Sequence, residues 1–187
     1  FPEASSVGTI IATFSASDPE SSSISYSLSG TDSGKFSIAS DGTLTLANSL
    51  DYEIKQAYSV TVNASDGTHT ASQGLSISAT NVNEAPTLSS TLVASSFAES
   101  SAVGTTIATS SASDAEASSI SYSLSGTDSS KFAIASDGTV TLVSTLDYEI
   151  KSGYSIIVNA SDGTHTASHG LTISATNVNE APTLSST

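Results

Sequence analysis

Several residue types are missing from this sequence, and each absence narrows what the chain can be. The 187 residues contain no cysteine, methionine or tryptophan, and all four basic residues are lysines. Without cysteine there is no disulfide framework, so small domains need another source of rigidity. No apolar run approaches the ~20 residues of a membrane-spanning helix, and no signal peptide is present. We therefore expect neither a disulfide-rich fold nor membrane insertion within this chain.

Basic charge is scarce while acidic charge is abundant. Eighteen acids against four lysines leave a formal net charge of −14. A chain without a basic surface cannot neutralise phosphates, which argues against nucleic acid as a partner. The plain interpretation of an acidic surface is solubility.

The sequence consists largely of two copies of one repeat. Residues 1–91 align without a gap with residues 97–187 at an offset of 96, and 19 of the 91 positions differ. A period this long is a whole domain. We predict domain 1 at residues 1–86, closed by a linker at 81–86, and domain 2 at residues 87–187, closed by the same six residues at 177–182.

Alternating apolar and polar residues indicate short strands. Ile24, Tyr26 and Leu28 alternate with serines, and a similar alternation begins at Tyr58. Asp-Gly pairs such as Asp41-Gly42 mark tight hairpins. About seven such strands per repeat, with no apolar 3.6 period, predict an all-β fold of two tandem seven-stranded Greek-key β-sandwiches. Because Phe14 is replaced by Ser110 in the second copy, Phe14 is not expected in the core.

All nine acids of the first repeat recur at the same offsets in the second, although 19 other positions changed. Recent duplication alone would also preserve them. Strand ends gather at the two poles of a sandwich, so the acids at the adjoining poles of two stacked domains form one group: Glu3, Asp51, Glu53, Glu84, Asp114, Glu116 and Asp162. These seven carboxylates repel unless a cation lies among them. Donor sets made of oxygen alone select Ca²⁺, and three ions would nearly balance the charge.

The same residues carry a family resemblance. Six motifs occur in order in each repeat: Glu3; Asp18-Pro19-Glu20; Phe36-Ser37-Ile38 with Asp41-Gly42-Thr43-Leu44; Leu50-Asp51-Tyr52-Glu53; Ala64-Ser65-Asp66-Gly67; and Asn81-Val82-Asn83-Glu84-Ala85-Pro86. In this the chain resembles extracellular cadherin repeats, and specifically the cadherin-like repeats of large bacterial surface proteins. It departs from that pattern in several places, with Glu116 for an Asp, Glu84 for an Asp and Tyr52 for an Arg.

The resemblance implies three calcium ions at the junction and names their ligands. Glu3, Asp51, Glu53 and Glu84 would serve the ions nearer domain 1. Asn83, Asp114, Glu116 and Asp162 would serve those nearer domain 2, with the carbonyls of Val82 and Ala85 completing the shells. Two outer half-sites would bind weakly: Asp18, Glu20 and Asp66, and Glu99, Asp147, Glu149, Asn179 and Glu180.

These features predict a Ca²⁺-rigidified stalk or adhesion segment of a secreted or cell-surface protein. Its expected partners are neighbouring repeats, with homophilic association between arrays as a further possibility. Two alternatives stay open: a carbohydrate-binding module that holds polysaccharide, with Tyr52 and Tyr148 as its platform, and a calcium-independent immunoglobulin-like spacer. His69, His165 and His169 are not spaced as a metal site. No nucleophile–base motif stands out, so an enzyme is not expected.

Overall fold

The computed structural model describes residues 1–20, 23–182 and 184, and these form two compact units. Unit 1 is Phe1–Val82 and unit 2 is Asn83–Thr187. The described residues hold fourteen β-strands and two short 3₁₀ turns, Ser33–Lys35 and Ser129–Lys131. Among them no helix is long and apolar enough to cross a membrane. The all-β architecture expected from the alternating pattern is confirmed.

Unit 1 is a sandwich of two three-stranded sheets. The strands are β1 Ile10–Thr13, β2 Ser25–Ser29, β3 Phe36–Ile38, β4 Thr43–Leu46, β5 Ala57–Ser65 and β6 Thr70–Ser78. The sheet orders are β1-β4-β3 and β2-β5-β6, and all pairs are antiparallel. An isolated parallel bridge also joins Pro2 to Thr80.

Unit 2 is a sandwich of two four-stranded sheets. The strands are β7 Thr87–Leu92, β8 Phe97–Ala98, β9 Thr106–Ser113, β10 Ser121–Ser125, β11 Phe132–Ile134, β12 Thr139–Leu142, β13 Gly153–Ser161 and β14 Thr166–Thr176. The sheet orders are β11-β12-β9-β7 and β10-β13-β14-β8. Strand β7 pairs antiparallel with β9, whereas β8 pairs parallel with β14. The first strand of the unit is therefore divided between both sheets, and if β7 and β8 are counted as one strand the described residues of the unit hold seven.

The core of each unit lies between its two sheets. Along β13, Tyr154, Ile156 and Val158 are buried while the intervening residues are not, because successive side chains of a strand point to opposite faces. The core-facing side chains of unit 1 repeat this arrangement around Val60 and Leu44. Phe14 is half-buried and packs against this core without belonging to its buried residues, which agrees with the expectation drawn from its replacement by serine.

The Asp-Gly hairpins make one close approach that only glycine permits. Gly42 and Gly138 have φ of +83° and +85°. A Cβ at either position would lie 2.1 Å from a backbone oxygen, that of Phe14 or of Ser110. In both units the hairpin glycine therefore packs directly against the backbone of the neighbouring segment, which a residue with a Cβ could not do.

Candidate metal centre

Three carboxylates of unit 2 converge at one end of its sandwich, and we call them the lower set: Glu99, Asp147 and Glu149. One oxygen from each lies within 4.8 Å of the others. Glu99 directly follows β8, while Asp147 and Glu149 belong to the turn after β12. The fold brings the three carboxylates together through β14. Strand β8 pairs with β14, and the residue after the turn, Ser152, accepts a hydrogen bond from the Ala175 N–H of β14.

Glu99 is the buried member of this set, and hydrogen bonds hold both of its carboxylate oxygens. Its side chain is buried, with 6% of the residue exposed. Oε2 accepts a hydrogen bond from the backbone N–H of Tyr148 (2.7 Å), and Oε1 accepts one from that of Val178 (2.6 Å). These two donors hold the pKa of Glu99 below its usual range, against the opposing effect of burial. Glu99 therefore ties the acidic turn to the segment that follows β14.

Asp147 and Glu149 are oriented by their neighbours. Asp147 Oδ1 accepts from the backbone N–H of Ile150 (2.8 Å), which closes the turn. The Tyr154 hydroxyl donates to the Asp147 carbonyl (3.0 Å) and accepts from its N–H (2.8 Å). The side-chain amide of Asn177 donates to Glu149 Oε1. Every carboxylate of the set is thus held by a neutral donor.

Lys151, whose backbone bridges to Asp147, directs its charge elsewhere. Lys151 Nζ lies 2.6 and 2.7 Å from the two carboxylate oxygens of Asp128 and is committed there. Burial raises the pKa of Glu180, and the charges of Glu149 and Glu99 raise it further. A carboxyl group whose neighbours disfavour its charge indicates a shortage of positive charge at this end of the sandwich.

Unit 1 repeats the same scaffold around Glu3. This residue is 5% exposed; its Oε2 accepts from the N–H of Tyr52 (2.5 Å) and its Oε1 from that of Val82 (2.7 Å). Asn81 Nδ2 donates to Glu53 Oε1 (2.6 Å). Val82, expected to offer its carbonyl to an ion, therefore also uses its N–H to hold Glu3.

Asp51 of unit 1 makes the same hydrogen bonds as Asp147 of unit 2. Its Oδ1 accepts from the N–H of Ile54 (2.7 Å), and its backbone exchanges hydrogen bonds with the Tyr58 hydroxyl (2.9 and 3.0 Å). The turn is closed by the Lys55 N–H on the Asp51 carbonyl (2.9 Å). Residues 51–55 therefore form a hydrogen-bonded turn that presents Asp51.

A second group in unit 2, which we call the upper set, consists of Asn83, Asp114, Glu116 and Asp162. Asp162 Oδ1 accepts from the N–H groups of Thr164 and His165, both at 2.6 Å. Asn83 Nδ2 donates to Asp162 Oδ2 (2.7 Å). These hydrogen bonds, that of Asn83 first, lower the pKa of Asp162 to about 2. The linker residue and the turn after β13 are thereby joined within one unit.

Two oxygens of the upper set meet no hydrogen-bond donor within the described part of the chain. Asp114 Oδ1 accepts from the Ser118 N–H (3.0 Å), and Glu116 Oε2 accepts weakly from the Glu84 N–H (3.4 Å). Asp114 Oδ2 and Glu116 Oε1 are buried and find no hydrogen-bond partner among the described residues. Buried carboxylate oxygens left unpaired are costly, and a hard cation satisfies both. The donor set therefore fits a metal ion.

The matching residues of unit 1 are more open. Asp66 Oδ1 accepts from the N–H groups of Thr68 (2.7 Å) and His69 (2.6 Å), which lower the pKa of Asp66. Asp18 is half-buried and Glu20 exposed; the loop they begin continues into residues 21–22, outside the described residues. Ala85 lies in the segment before β7 and remains a predicted carbonyl ligand, and Asn179 remains a predicted member of the outer half-site with Glu180.

Two histidines take positions that the sequence pattern did not predict. His165 Nδ1 lies 2.8 Å from Asn83 Nδ2, beside Asp162. His169 Nδ1 accepts from the Ser90 N–H (3.0 Å), which links β14 to β7. A signal for the first was present, because the Asp-Gly-Thr-His turn recurs unchanged at 66–69 and 162–165. The second depends on a side-chain contact between the two sheets, made by residues 79 apart in the chain.

Comparisons with known proteins identify the family. The family model of the cadherin domain matches residues 1–86 and 94–185. Protocadherin Fat 4 is 35% identical in Homo sapiens and 34% in Mus musculus over 172 residues, which is 85% of this chain. The chain spans only 4% of the length of these relatives. The relatives are animal proteins, so the bacterial subgroup expected from the motifs is not supported.

Solved structures show the same fold. Domains EC1-2 of human protocadherin-24 cover 94% of this chain and 93% of their own, with a TM-score of 0.60 and 24% identity. The extracellular domains 3-6 of protocadherin Gamma B2 give a TM-score of 0.63 at 21% identity, covering 96% of this chain and 45% of theirs. A cis-dimer structure of protocadherin gammaB7 EC3-6 gives 0.56 at 26% identity, with coverage of 96% and 45%.

Membership has consequences for what the chain does. Cadherin domains bind Ca²⁺ in general, they are adhesion modules and not enzymes, and they lie outside the cell or on its surface. The secreted or cell-surface location expected from the sequence is therefore confirmed. The matched ranges, the paired sandwiches and the acidic motifs agree: this chain belongs to the cadherin family and consists of two tandem cadherin domains.

Proposed function

We propose that this chain is a calcium-binding segment of an adhesion ectodomain. Its ions would occupy the lower set of unit 2, the matching residues Glu3, Asp51 and Glu53 of unit 1, and the upper set. One observation carries the proposal. Glu99, Asp147 and Glu149 bring an oxygen each within 4.8 Å of one another, and the nearby Lys151 is bound to Asp128 instead.

Calcium suits these donors better than other metals. Every predicted ligand of the sets is a carboxylate, side-chain amide or backbone oxygen, and thiolates are absent from the chain. Ca²⁺ accepts six to eight oxygens in flexible geometry, whereas Mg²⁺ demands octahedral coordination and loses water reluctantly. Zn²⁺ prefers nitrogen and sulfur ligands. Mixed Asp and Glu side chains of unequal reach therefore favour Ca²⁺.

The linker connects these sets through its own side chains. Asn81 donates to Glu53 in unit 1, and Asn83 donates to Asp162 in unit 2. Only Val82 separates the two amides in the chain, so ions that order either set also restrain residues 81–86. Glu84 and the carbonyls of Val82 and Ala85 would add ligands from the same segment. We infer that calcium stiffens this linker and makes the pair of domains a spacer within a longer array.

Association with a second copy is the adhesive role that the relatives favour. The gammaB7 structure, 26% identical, is a cis-dimer. Polysaccharide binding finds no support among the relatives, and Tyr52 is half-buried while Tyr148 is only 40% exposed. We therefore propose homophilic association through repeats of this kind as the function of the parent array.

Calorimetric titration with Ca²⁺ tests the metal sites directly. The chain should release or absorb heat with Kd values of about 10⁻⁴–10⁻³ M, as in extracellular calcium modules, and should respond much less to Mg²⁺. Glu149→Gln should remove binding at the lower set of unit 2. Asp137→Asn is the matched control, because Asp137 caps a hairpin through Thr139 and belongs to no set. No heat at millimolar Ca²⁺ would refute the proposal.

A further inference from the structure

A single imidazole joins the two sheets of unit 2 at one side of the sandwich. Strand β7 is the edge of the first sheet. In the second sheet β8 pairs only with Ala175 and Thr176 of β14, so residues 166–174 of β14 have no described strand on that side. From this part of β14 the His169 side chain reaches the backbone of Ser90 in β7, with 3.0 Å between Nδ1 and the amide nitrogen.

The Ser90 N–H points out of its own sheet and needs this acceptor. Ser90 lies opposite Ser110 of β9, and the Ser110 N–H donates to the Gly138 carbonyl on the far side (2.9 Å). In an antiparallel pair of this kind the two amides point away from each other. Ser90 is buried, with 7% of the residue exposed. A buried amide without an acceptor is costly, and His169 supplies the acceptor.

The pattern of β14 directs His169 between the sheets. Leu171 and Ile173 of this strand are buried, and His169 shares their face because it lies two residues before Leu171. Its partner on β13, Val158, is fully buried, and the imidazole itself is half-buried. In unit 1 the matching residue is Gln73, whose amide does not titrate.

No charged side chain faces this imidazole from the strands around it. Strands β7, β8, β9, β10, β13 and β14 contain no Asp, Glu, Lys or Arg. The other titratable groups of these strands and of the residues that flank them are two phenols, neutral near pH 7, and four end groups: Tyr122, Tyr154, Glu99, Asp114, Asp162 and His165. Each end group lies at least four residues along a strand, about 13 Å of extended chain, from the level of His169. A charge on His169 therefore gains no adjacent counter-ion.

We propose that His169 is a pH-dependent latch that fastens β7 to the second sheet of unit 2. The neutral imidazole carries its proton on Nε2 and accepts the Ser90 N–H at Nδ1. A second proton takes the lone pair of Nδ1, so that the imidazolium and the Ser90 amide face each other as two donors. Histidine makes this change between about pH 8 and 5. Strand β7 then keeps its ladder with β9 and loses its link to β14.

The latch acts on the strand into which the linker leads. Residues 83–86 run directly into β7, and Asn83 donates to Asp162 of the upper set. Mild acid therefore loosens the start of unit 2 whatever the state of the metal sites. The proton is the ligand of this device, and His169 is its receptor.

Hydrogen exchange measured by NMR in chelator tests the latch without involving calcium. Exchange is expressed as protection factors, which remove the intrinsic effect of pH. The protection factor of the Ser90 amide should fall about tenfold or more between about pH 7.5 and 5, the scale of one buried hydrogen bond. The amides of β5 in unit 1 are the internal reference and should keep their protection. An unchanged protection factor of Ser90 would refute the latch.

Two variants assign the titrating group. His169→Gln is the matched variant, because glutamine stands at this position in unit 1 and its carbonyl accepts an N–H without titrating. It should keep Ser90 protected at both pH values. His169→Leu offers no acceptor and should leave Ser90 about tenfold less protected at both. A pH-dependent fall that persists in His169→Gln would assign the titration to another group, such as His165, and overturn the proposal.

The tautomer of His169 gives a test that needs no variant. Because a backbone N–H can only donate, the bond to Ser90 requires a bare Nδ1 and a proton on Nε2. Ring-nitrogen NMR of the original chain at neutral pH should therefore show the Nε2–H tautomer. A proton on Nδ1 would exclude the bond and the latch with it.

Discussion

Changing Glu149 to glutamine separates the electrostatics of the lower set from its metal binding. The side-chain oxygen that accepts from Asn177 is retained, so the turn keeps its hydrogen bond. The charge is lost from a group whose oxygens lie within 4.8 Å of Glu99 and Asp147. We therefore expect opposite effects in the two ionic conditions: the variant is less stable than the original in Ca²⁺ and at least as stable in a chelator.

The size of the effect in calcium follows from linkage. An ion that binds only the folded state adds about 1.4 kcal/mol at ten times its Kd. A unit of about 100 residues shifts its Tm by roughly 4–8 °C for each kcal/mol, so losing one ion lowers the Tm by about 6–11 °C. In chelator the sign reverses, because repulsion among like charges is relieved and no ion is lost.

Scanning calorimetry with and without Ca²⁺ measures both values. Glu53→Gln, the matching change in unit 1, assigns the two transitions, because each variant should shift a different one. Asp137→Asn should retain the full calcium response. If Glu149→Gln lowers the Tm equally in Ca²⁺ and in chelator, the residue stabilises the turn and binds no ion, and the assignment of the lower set is wrong.

Three further changes probe the interactions around the sets. Asn83→Ala should raise the pKa of Asp162 from about 2 toward its ordinary value of 3.8. The stability that the lowered pKa of Asp162 contributes is present above pH 3.8 and is lost as pH falls through 2. Carboxyl NMR titration in chelator measures this pKa, and an unchanged pKa in the variant would show that Asn83 is not the cause. Lys151→Met should cost about 1 kcal/mol or less, since the pair with Asp128 is partly solvated, and should leave the calcium heat unchanged; a lost heat would place Lys151 in the metal site. Gly138→Ala should cost more than the about 1–2 kcal/mol of a left-handed alanine, because its Cβ meets a carbonyl of β9 at 2.1 Å; a smaller loss on chemical denaturation would contradict that contact.

Local patterns in the sequence were sufficient to predict the architecture. Alternation around Tyr58 and Val60 predicted β5, and the Asp41-Gly42 pair predicted the hairpin between β3 and β4. Both signals act over a few residues, through the period of a strand and the φ that glycine permits. The acidic motifs also depend on short spacing, and the turn at 146–150 presents Asp147 and Glu149 together for that reason.

Other features depended on contacts between distant parts of the chain. Glu99 takes its place because the N–H groups of Tyr148 and Val178, 49 and 79 residues away, converge on its two oxygens. No period within one strand carries such information.

The sequence by itself determined two all-β repeats and the residues that supply oxygen donors. The tertiary structure decided which donors are already held by backbone amides, as Glu3 is, and which remain unpaired, as Asp114 Oδ2 does. It also decided that the first strand of unit 2 is divided between both sheets, with β7 paired to β9 and β8 to β14. The reason is physical: hydrogen-bond satisfaction and strand pairing are properties of groups brought together by folding, and no local sequence pattern records them.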